Sequence, residues 1–87
     1  MNYEEFIGQR IKEIRLKKGL FQKDLAEKTG LRQENIVRIE KGRHSVRINT
    51  LGKIADALGV RIDFIEDHAS TASENAETLS DHDFFKE

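Results

Sequence analysis

Four of the six glycines in this chain stand at positions 19, 30, 42 and 59, and each follows a short segment with apolar residues at helical spacing. In the first segment Ile7, Ile11 and Ile14 recur at intervals that place them on one face of an α-helix. Glycine is favoured just beyond a helix C-terminus. We therefore predict a series of short helices, each ended by one of these glycines.

Five helices follow from this pattern. The first begins at Asn2, which forms a capping-box pattern with Glu5. The others are predicted at about residues 22–29, 33–41, 49–58 and 61–67, and the apolar residues of the last are Ile62, Phe64 and Ile65. The chain has no proline and no cysteine, which favours helices and excludes disulfide scaffolds, zinc fingers and thiol nucleophiles. We expect an all-α fold, a compact five-helix domain over residues 1–65.

Residues 66–87 differ from this domain in composition and charge. Residues 1–65 contain 14 basic residues (Lys or Arg) and 9 acidic residues (Asp or Glu), which gives a net charge of +5. Residues 66–87 contain 1 basic and 7 acidic residues, which gives a net charge of −6. A basic body with an acidic tail indicates a polyanionic partner for the body, although a net charge of +5 also suits an ordinary solvated surface. The tail is small, polar and without an aliphatic stripe, so we expect it to be flexible or to fold on a partner.

Several classes of function are excluded. No apolar run approaches the roughly 20 residues that span a bilayer, and the acidic start does not resemble a signal peptide, so we expect a cytoplasmic protein without a membrane partner. His44, His68 and His82 do not cluster. We also find no Gly-rich phosphate loop and no paired carboxylates in a plausible cleft. We expect no enzyme activity, no cofactor and no metal site.

The segment of residues 22–41 has the pattern of a helix-turn-helix. Ala26 is small where the two helices must approach each other, and Gly30 permits the left-handed turn between them. Leu31 and Ile36 then hold the second helix against the first. The opposite face of the second helix is rich in Arg and Gln, and a face of this kind fits a major groove about 12 Å wide.

Residues 7–65 resemble the phage lambda repressor/Cro-type helix-turn-helix family of transcriptional regulators, and we expect a bacterial or phage-encoded protein that associates with the nucleoid. Besides the central motif, the resemblance rests on the segments Ile7-Gly8…Arg10-Ile11…Arg15, Glu40-Lys-Gly42 and Thr50-Leu51…Lys53-Ile54-Ala55…Ala57-Leu58-Gly59-Val60. Two positions depart from the family pattern: Phe21 stands where a Ser or Thr usually caps the second helix, and Val46-Arg47 replaces the usual Pro-Ser. The resemblance implies a compact five-helix domain that binds operator DNA as a two-fold dimer.

The resemblance also implies roles for individual residues. The implied base-reading residues are Gln33, Glu34 and Arg38, each of which could instead be an ordinary solvated side chain. The implied phosphate-binding residues are Gln22, Arg32, Lys41, Arg43, His44, Ser45 and Arg47. Gln22 is further implied to brace Gln33, and Arg15 to pair with Glu40. We expect the dimer interface at Ile62, Phe64 and Ile65, which could alternatively close the core.

We therefore expect a sequence-specific DNA-binding regulator, a repressor that occludes polymerase as a homodimer on a palindromic operator. One alternative is the antitoxin of a toxin–antitoxin pair, which would hold a toxin through the acidic tail, with Leu79, Phe84 and Phe85 as anchors. Another is a protein-interaction adaptor that keeps the fold without reading bases.

Overall fold

The computed structural model describes residues 2–67 of the chain. This part contains four α-helices and no β-strand, which confirms the all-α class. The helices are α1 (Tyr3–Lys17), α2 (Gln22–Thr29), α3 (Gln33–Glu40) and α4 (Ile48–Leu58). Their bounds lie within about one residue of the predicted ones, because caps and glycine stops act through neighbouring backbone groups.

The first two helices begin differently. At the start of α1, Asn2 Oδ1 accepts a hydrogen bond from the Glu5 backbone N–H at 2.8 Å, and the Asn2 backbone N–H donates to the Glu5 carboxylate at 3.2 Å. This is the predicted capping box. At the start of α2 the side chain of Phe21 offers no acceptor and is 75% exposed. Here only the Phe21 backbone N–H is paired, with the Asp24 carboxylate at 2.8 Å.

The core lies where α2 packs against both α3 and α4, while α1 packs against α3. Each helix contributes apolar side chains at the predicted spacing. The buried cluster consists of Ile11, Leu25, Ala26, Ile36, Ile39, Ile54 and Leu58. Complete burial of one large aliphatic side chain contributes about 1.5–3 kcal/mol, so this cluster supplies the main driving force that holds the helices together.

Helices α1 and α3 approach each other closely at Gly8. A Cβ atom at this position would overlap the carbonyl oxygen of Ile39 and lie 2.9 Å from the carbonyl oxygen of Glu40. Any side chain larger than hydrogen would therefore force the two helices apart, since packed interiors leave no spare volume. Gly8 thus lets α1 hold the C-terminal end of α3.

The prediction of a fifth helix over residues 61–67 is wrong. Residues 61–67 form no helix, and the side chains of Ile62, Phe64 and Ile65 are 51%, 100% and 85% exposed. The Asp63 carboxylate accepts a hydrogen bond from the Phe64 backbone N–H at 2.7 Å, a local contact that competes with helical hydrogen bonding. A helix of two turns needs tertiary packing to be stable, and neither Phe64 nor Ile65 packs into the core. These two residues do not close the core.

The predicted acidic tail lies largely outside the described residues. Leu79, Phe84 and Phe85, and with them His68 and His82, all belong to residues 68–87, which the structure does not describe. Within residues 2–67, none of the four helices combines the length and the apolar character that crossing a membrane requires.

Candidate nucleic-acid interface

Helices α2 and α3 form the helix-turn-helix, and a short turn sets the angle between them. Gly30 ends α2 in the left-handed conformation with φ of 79°, which a residue with a side chain rarely adopts. The hydroxyl of Thr29 donates to the Leu25 carbonyl at 2.8 Å and accepts from the Leu31 backbone N–H at 3.2 Å. Leu25 is completely buried, so α2 serves as the support on which α3 is held.

Helix α3 has one buried and one exposed half. Ile36, Ile39 and Glu40 are buried. Since successive residues turn by about 100°, these three lie roughly opposite Glu34 and Arg38, whose side chains are exposed, as is that of Gln33. We call Gln33, Glu34 and Arg38 the α3 face. It combines an amide, a carboxylate and a guanidinium, the groups that pair with adenine, cytosine and guanine edges.

Positive charge borders the α3 face at both ends. Arg32 is the N-cap residue of α3 and Lys41 is its C-cap residue, and both are exposed. The loop of residues 41–47 adds four further exposed side chains, those of Arg43, His44, Ser45 and Arg47. Arg47 also stands at the N-cap of α4 without a side-chain capping bond. Arg32, Lys41, Arg43 and Arg47 together supply exposed positive charge, as binding to a phosphate backbone requires.

The first turn of α1 braces this loop. The Ser45 hydroxyl donates a hydrogen bond to the Glu4 carboxylate. Beside it, Gly42 packs against Glu5, and a Cβ at Gly42 would lie 2.7 Å from the Glu5 Cα. The sequence predicted a phosphate contact for Ser45 but not this contact with Glu4, because a pair of residues 41 positions apart leaves no periodic signal. Glu4 therefore places a negative charge beside the basic loop.

A buried ion pair joins α1 to the end of α3, as the family resemblance implied. Arg15 Nε donates to Glu40 Oε2 at 2.6 Å and Arg15 Nη2 donates to Glu40 Oε1 at 2.9 Å. Arg15 Nη1 also donates to the Leu20 carbonyl at 2.8 Å. The hydrogen bond from Arg15 to Glu40 raises the pKa of Arg15 above its ordinary value; burial opposes this increase, and the charge of Glu40 adds to it.

Gln22 has a different partner from the predicted one. Its side-chain Nε2 donates to Glu40 Oε1 at 3.1 Å, whereas the family resemblance implied a contact with Gln33. The correction has a physical reason: the first residue of α2 lies over the end of α3, where Glu40 still has an acceptor lone pair after binding Arg15. In the described part of the chain, no group of three or more acidic or histidine residues is placed to hold a metal ion.

The family of this chain follows from its sequence as well as its fold. Residues 11–65 match the helix-turn-helix family of the Cro/C1 type. The chain therefore belongs to this family, which is a family of DNA-binding transcriptional regulators and not a class of enzymes.

Among similar sequences is the immunity repressor protein of Bacillus phage phi105, which is 41% identical over 59 residues. The match covers 68% of this chain and 41% of the phage protein, so the chain corresponds to less than half of that repressor's length. An HTH-type transcriptional regulator of Archaeoglobus fulgidus is 43% identical over 54 residues, which are 62% of this chain and 77% of that regulator.

Similar solved structures belong to restriction-modification controller proteins. C.AhdI from Aeromonas hydrophila superposes with a TM-score of 0.65 and 34% identity, over 67% of this chain and 88% of that one. A second is the tetramer of C.Esp1396I in complex with its natural 35 base-pair operator, with a TM-score of 0.63 and 37% identity, over 66% and 75% of the two chains.

Proposed function

We propose that this chain is a transcriptional repressor that binds a palindromic operator as a homodimer, with α3 of each protomer in the major groove. The observation that carries this proposal is the exposed α3 face, bordered by Arg32 and Lys41. Two similar proteins support it: the phage phi105 protein is an immunity repressor, and the C.Esp1396I tetramer is a controller protein in complex with its operator. We propose that residues 1–65 form the DNA-binding unit and residues 66–87 a separate acidic segment.

The three side chains of the α3 face have distinct proposed partners. The Gln33 amide has the donor and acceptor that an adenine edge requires, and the Arg38 guanidinium pairs with guanine O6 and N7. Glu34 accepts a hydrogen bond from cytosine N4 when it contacts a base. We propose phosphate contacts for seven further residues, which orient the helix without reading sequence. They are Gln22, Arg32, Lys41, Arg43, His44, Ser45 and Arg47.

The proposed function is tested by selecting bound sequences from random duplex DNA with the full-length protein, at about 150 mM salt so that non-specific binding is weak. We expect a palindrome whose half-sites lie about 34 Å apart, one helical turn. Enrichment of no sequence would contradict the proposal and favour the protein-interaction adaptor.

Replacing both Gln33 and Arg38 by alanine should abolish the preference for the selected sequence. Each bidentate base contact is worth about 1–3 kcal/mol, so the pair should account for a loss of specific affinity of at least about 30-fold. Helicity should not change, because both side chains are exposed. Fluorescence anisotropy with specific and scrambled duplexes measures the effect. Replacement of exposed Lys12 on α1 by alanine is the control, and an unchanged sequence preference in the double variant would contradict our assignment of the α3 face.

The proposed dimer interface is the apolar surface around residues 61–65. Ile62 and Phe64 border a groove of about 420 Å³ between α1 and α4, whose lining includes Tyr3, Phe6 and Leu51. Phe64 is completely exposed, and Tyr3 is 81% exposed. A two-fold axis beside the groove would bury this surface of both copies, because a closed dimer uses the same patch twice.

Replacing Phe64 by aspartate should shift the protein from dimer to monomer, because a charge in the centre of an interface is costly to desolvate. The fold should persist, since Phe64 contributes nothing to the core of the protomer. Sedimentation velocity measures the mass, and thermal unfolding checks the fold. Phe21→Asp is the matched control, since Phe21 is also exposed but stands at the N-cap of α2, outside the lining of this groove. A Phe64→Asp variant that remains dimeric would place the interface elsewhere.

The antitoxin alternative depends on an interaction of the acidic segment with a toxin. The proposed anchors of the toxin lie in residues 68–87, outside the described residues, so the antitoxin function stays a prediction.

A further inference from the structure

We infer that Glu40 is a positioning residue for DNA binding: it orients the Gln22 side-chain amide so that the carbonyl oxygen and one N–H of that amide face the DNA. The inference rests on the proposed function, because it assumes that the start of α2 contacts the DNA backbone. It goes beyond the structural role of the Arg15–Glu40 ion pair.

The chemistry of the two groups determines the orientation of the amide. A carboxylate only accepts hydrogen bonds, whereas an amide has a donor end and an acceptor end. Gln22 Nε2 lies 3.1 Å from Glu40 Oε1. The reverse orientation would place the Gln22 carbonyl oxygen against a carboxylate oxygen, and the two would repel each other. Glu40 therefore selects one of the two orientations of the amide.

Glu40 can select it because Glu40 itself is held rigidly. Its side chain is only 3% exposed. Both of its oxygens are bound by Arg15, at 2.6 and 2.9 Å, and Arg15 is in turn bound to the Leu20 carbonyl at 2.8 Å. Leu20 precedes α2 by two positions, so a single set of hydrogen bonds connects the end of α1, the start of α2 and the end of α3.

The orientation determines which groups Gln22 offers at the surface. One N–H of Nε2 is used by Glu40, and the other remains available for a phosphate oxygen. The carbonyl oxygen is an acceptor and cannot bind phosphate. Gln22 consequently offers one donor in one direction, which restricts where the phosphate backbone can lie along the start of α2.

The orientation is tested first by NMR on the free full-length protein. In the wild type, we expect the Gln22 side-chain N–H that bonds Glu40 to be shifted downfield and slow to exchange with water. In Glu40→Gln, the new amide can donate to the Gln22 carbonyl, so Gln22 should turn over and lose this signature. The exposed side chains of Gln9 and Gln33 have no such bond and serve as controls. An unchanged Gln22 resonance in Glu40→Gln would overturn the inference.

The effect on binding is tested with a double-mutant cycle on the selected operator. Gln22→Met keeps the side-chain length and removes the amide, and it should weaken binding about tenfold for each half-site, the value of one hydrogen bond to a charged group. In the Glu40→Gln background the effect of the same substitution should differ from this value by at least about threefold, because the turned Gln22 amide offers the DNA two N–H groups in a different direction instead of one. A purely structural role for Glu40 predicts an equal effect in both backgrounds, which would overturn the inference.

All four proteins of the cycle are compared at a temperature at which circular dichroism shows each to be folded. If Glu40→Gln does not fold, the double variant Arg15→Met/Glu40→Leu replaces the buried pair by apolar residues, a change that small domains often tolerate. It also leaves Gln22 without its acceptor, so the same loss of the shifted resonance and a changed effect of Gln22→Met on binding are expected. If the selection enriches no sequence, the proposed function fails, and the orientation is then decided by the NMR comparison alone.

Discussion

Replacing Gly8 by alanine is expected to destabilise the domain by about 3 kcal/mol or more, at the upper end of the cost of overpacking. The added Cβ would overlap the Ile39 carbonyl oxygen and crowd that of Glu40, and both belong to helix backbone that cannot move alone. Helices α1 and α3 would have to separate. In a domain of this size each kcal/mol lowers the melting temperature by about 4–8 °C, so thermal unfolding followed by circular dichroism measures the effect.

Gly52 provides the matched control for this substitution. It also lies inside a helix, α4, but a Cβ there would meet no atom within 4 Å. Alanine at this position should stabilise the domain by about 0.5–1 kcal/mol, because glycine loses more backbone entropy on folding. Equal effects at the two positions would show that helix propensity, and not the contact of α1 with α3, decides the outcome.

Replacing Arg15 by methionine is expected to cost about 3–5 kcal/mol, because it leaves the Glu40 carboxylate buried without its cation. Chemical denaturation at neutral pH measures the loss. Because folding raises the pKa of Arg15, the charged Arg15 contributes fully to the free energy of unfolding at every pH below the pKa that it has in the unfolded chain. This contribution is lost only in strongly alkaline solution, as the pH rises through the pKa of the folded state. The part of the difference in free energy of unfolding between wild type and variant that comes from Arg15 ionisation should therefore be constant between about pH 6 and pH 8.

The exposed ion pair of Arg10 and Glu13 is the control for the buried one. Their side chains are 62% and 64% exposed, with 3.1 Å between Arg10 Nη1 and Glu13 Oε1. Arg10→Met should change stability by less than about 0.5 kcal/mol, since exposed pairs are screened by solvent. If Arg15→Met were as mild as Arg10→Met, the buried pair would not hold α1 to α3.

The elements of the fold were largely predictable, and the failure at residues 61–67 has a physical cause. Asn2, Gly30 and Gly59 act on the backbone within one or two turns, so they define helix ends without reference to the rest of the chain. Segment 61–67 has apolar residues at helical spacing but no packing partner for Phe64. In a segment this short, periodicity alone does not stabilise a helix.

The candidate site was predictable in its residue types and less so in its contacts. The positions of Gln33, Glu34 and Arg38 on the exposed half of α3 follow from the burial of Ile36 and Ile39 in the same helix. The pairing of Arg15 with Glu40 came from the resemblance to a family, since nothing in periodicity connects residues 25 positions apart.

The sequence by itself determined the helical class, the boundaries of the four helices and the composition of the α3 face, because each depends on interactions within one helix or its caps. Only the tertiary structure decided that Gly8 lies against the α3 backbone, that Ser45 bonds Glu4, and that the Gln22 amide is held by Glu40. These contacts join residues from different helices or loops. They depend on how the helices pack in three dimensions, and local propensity carries no information about that packing.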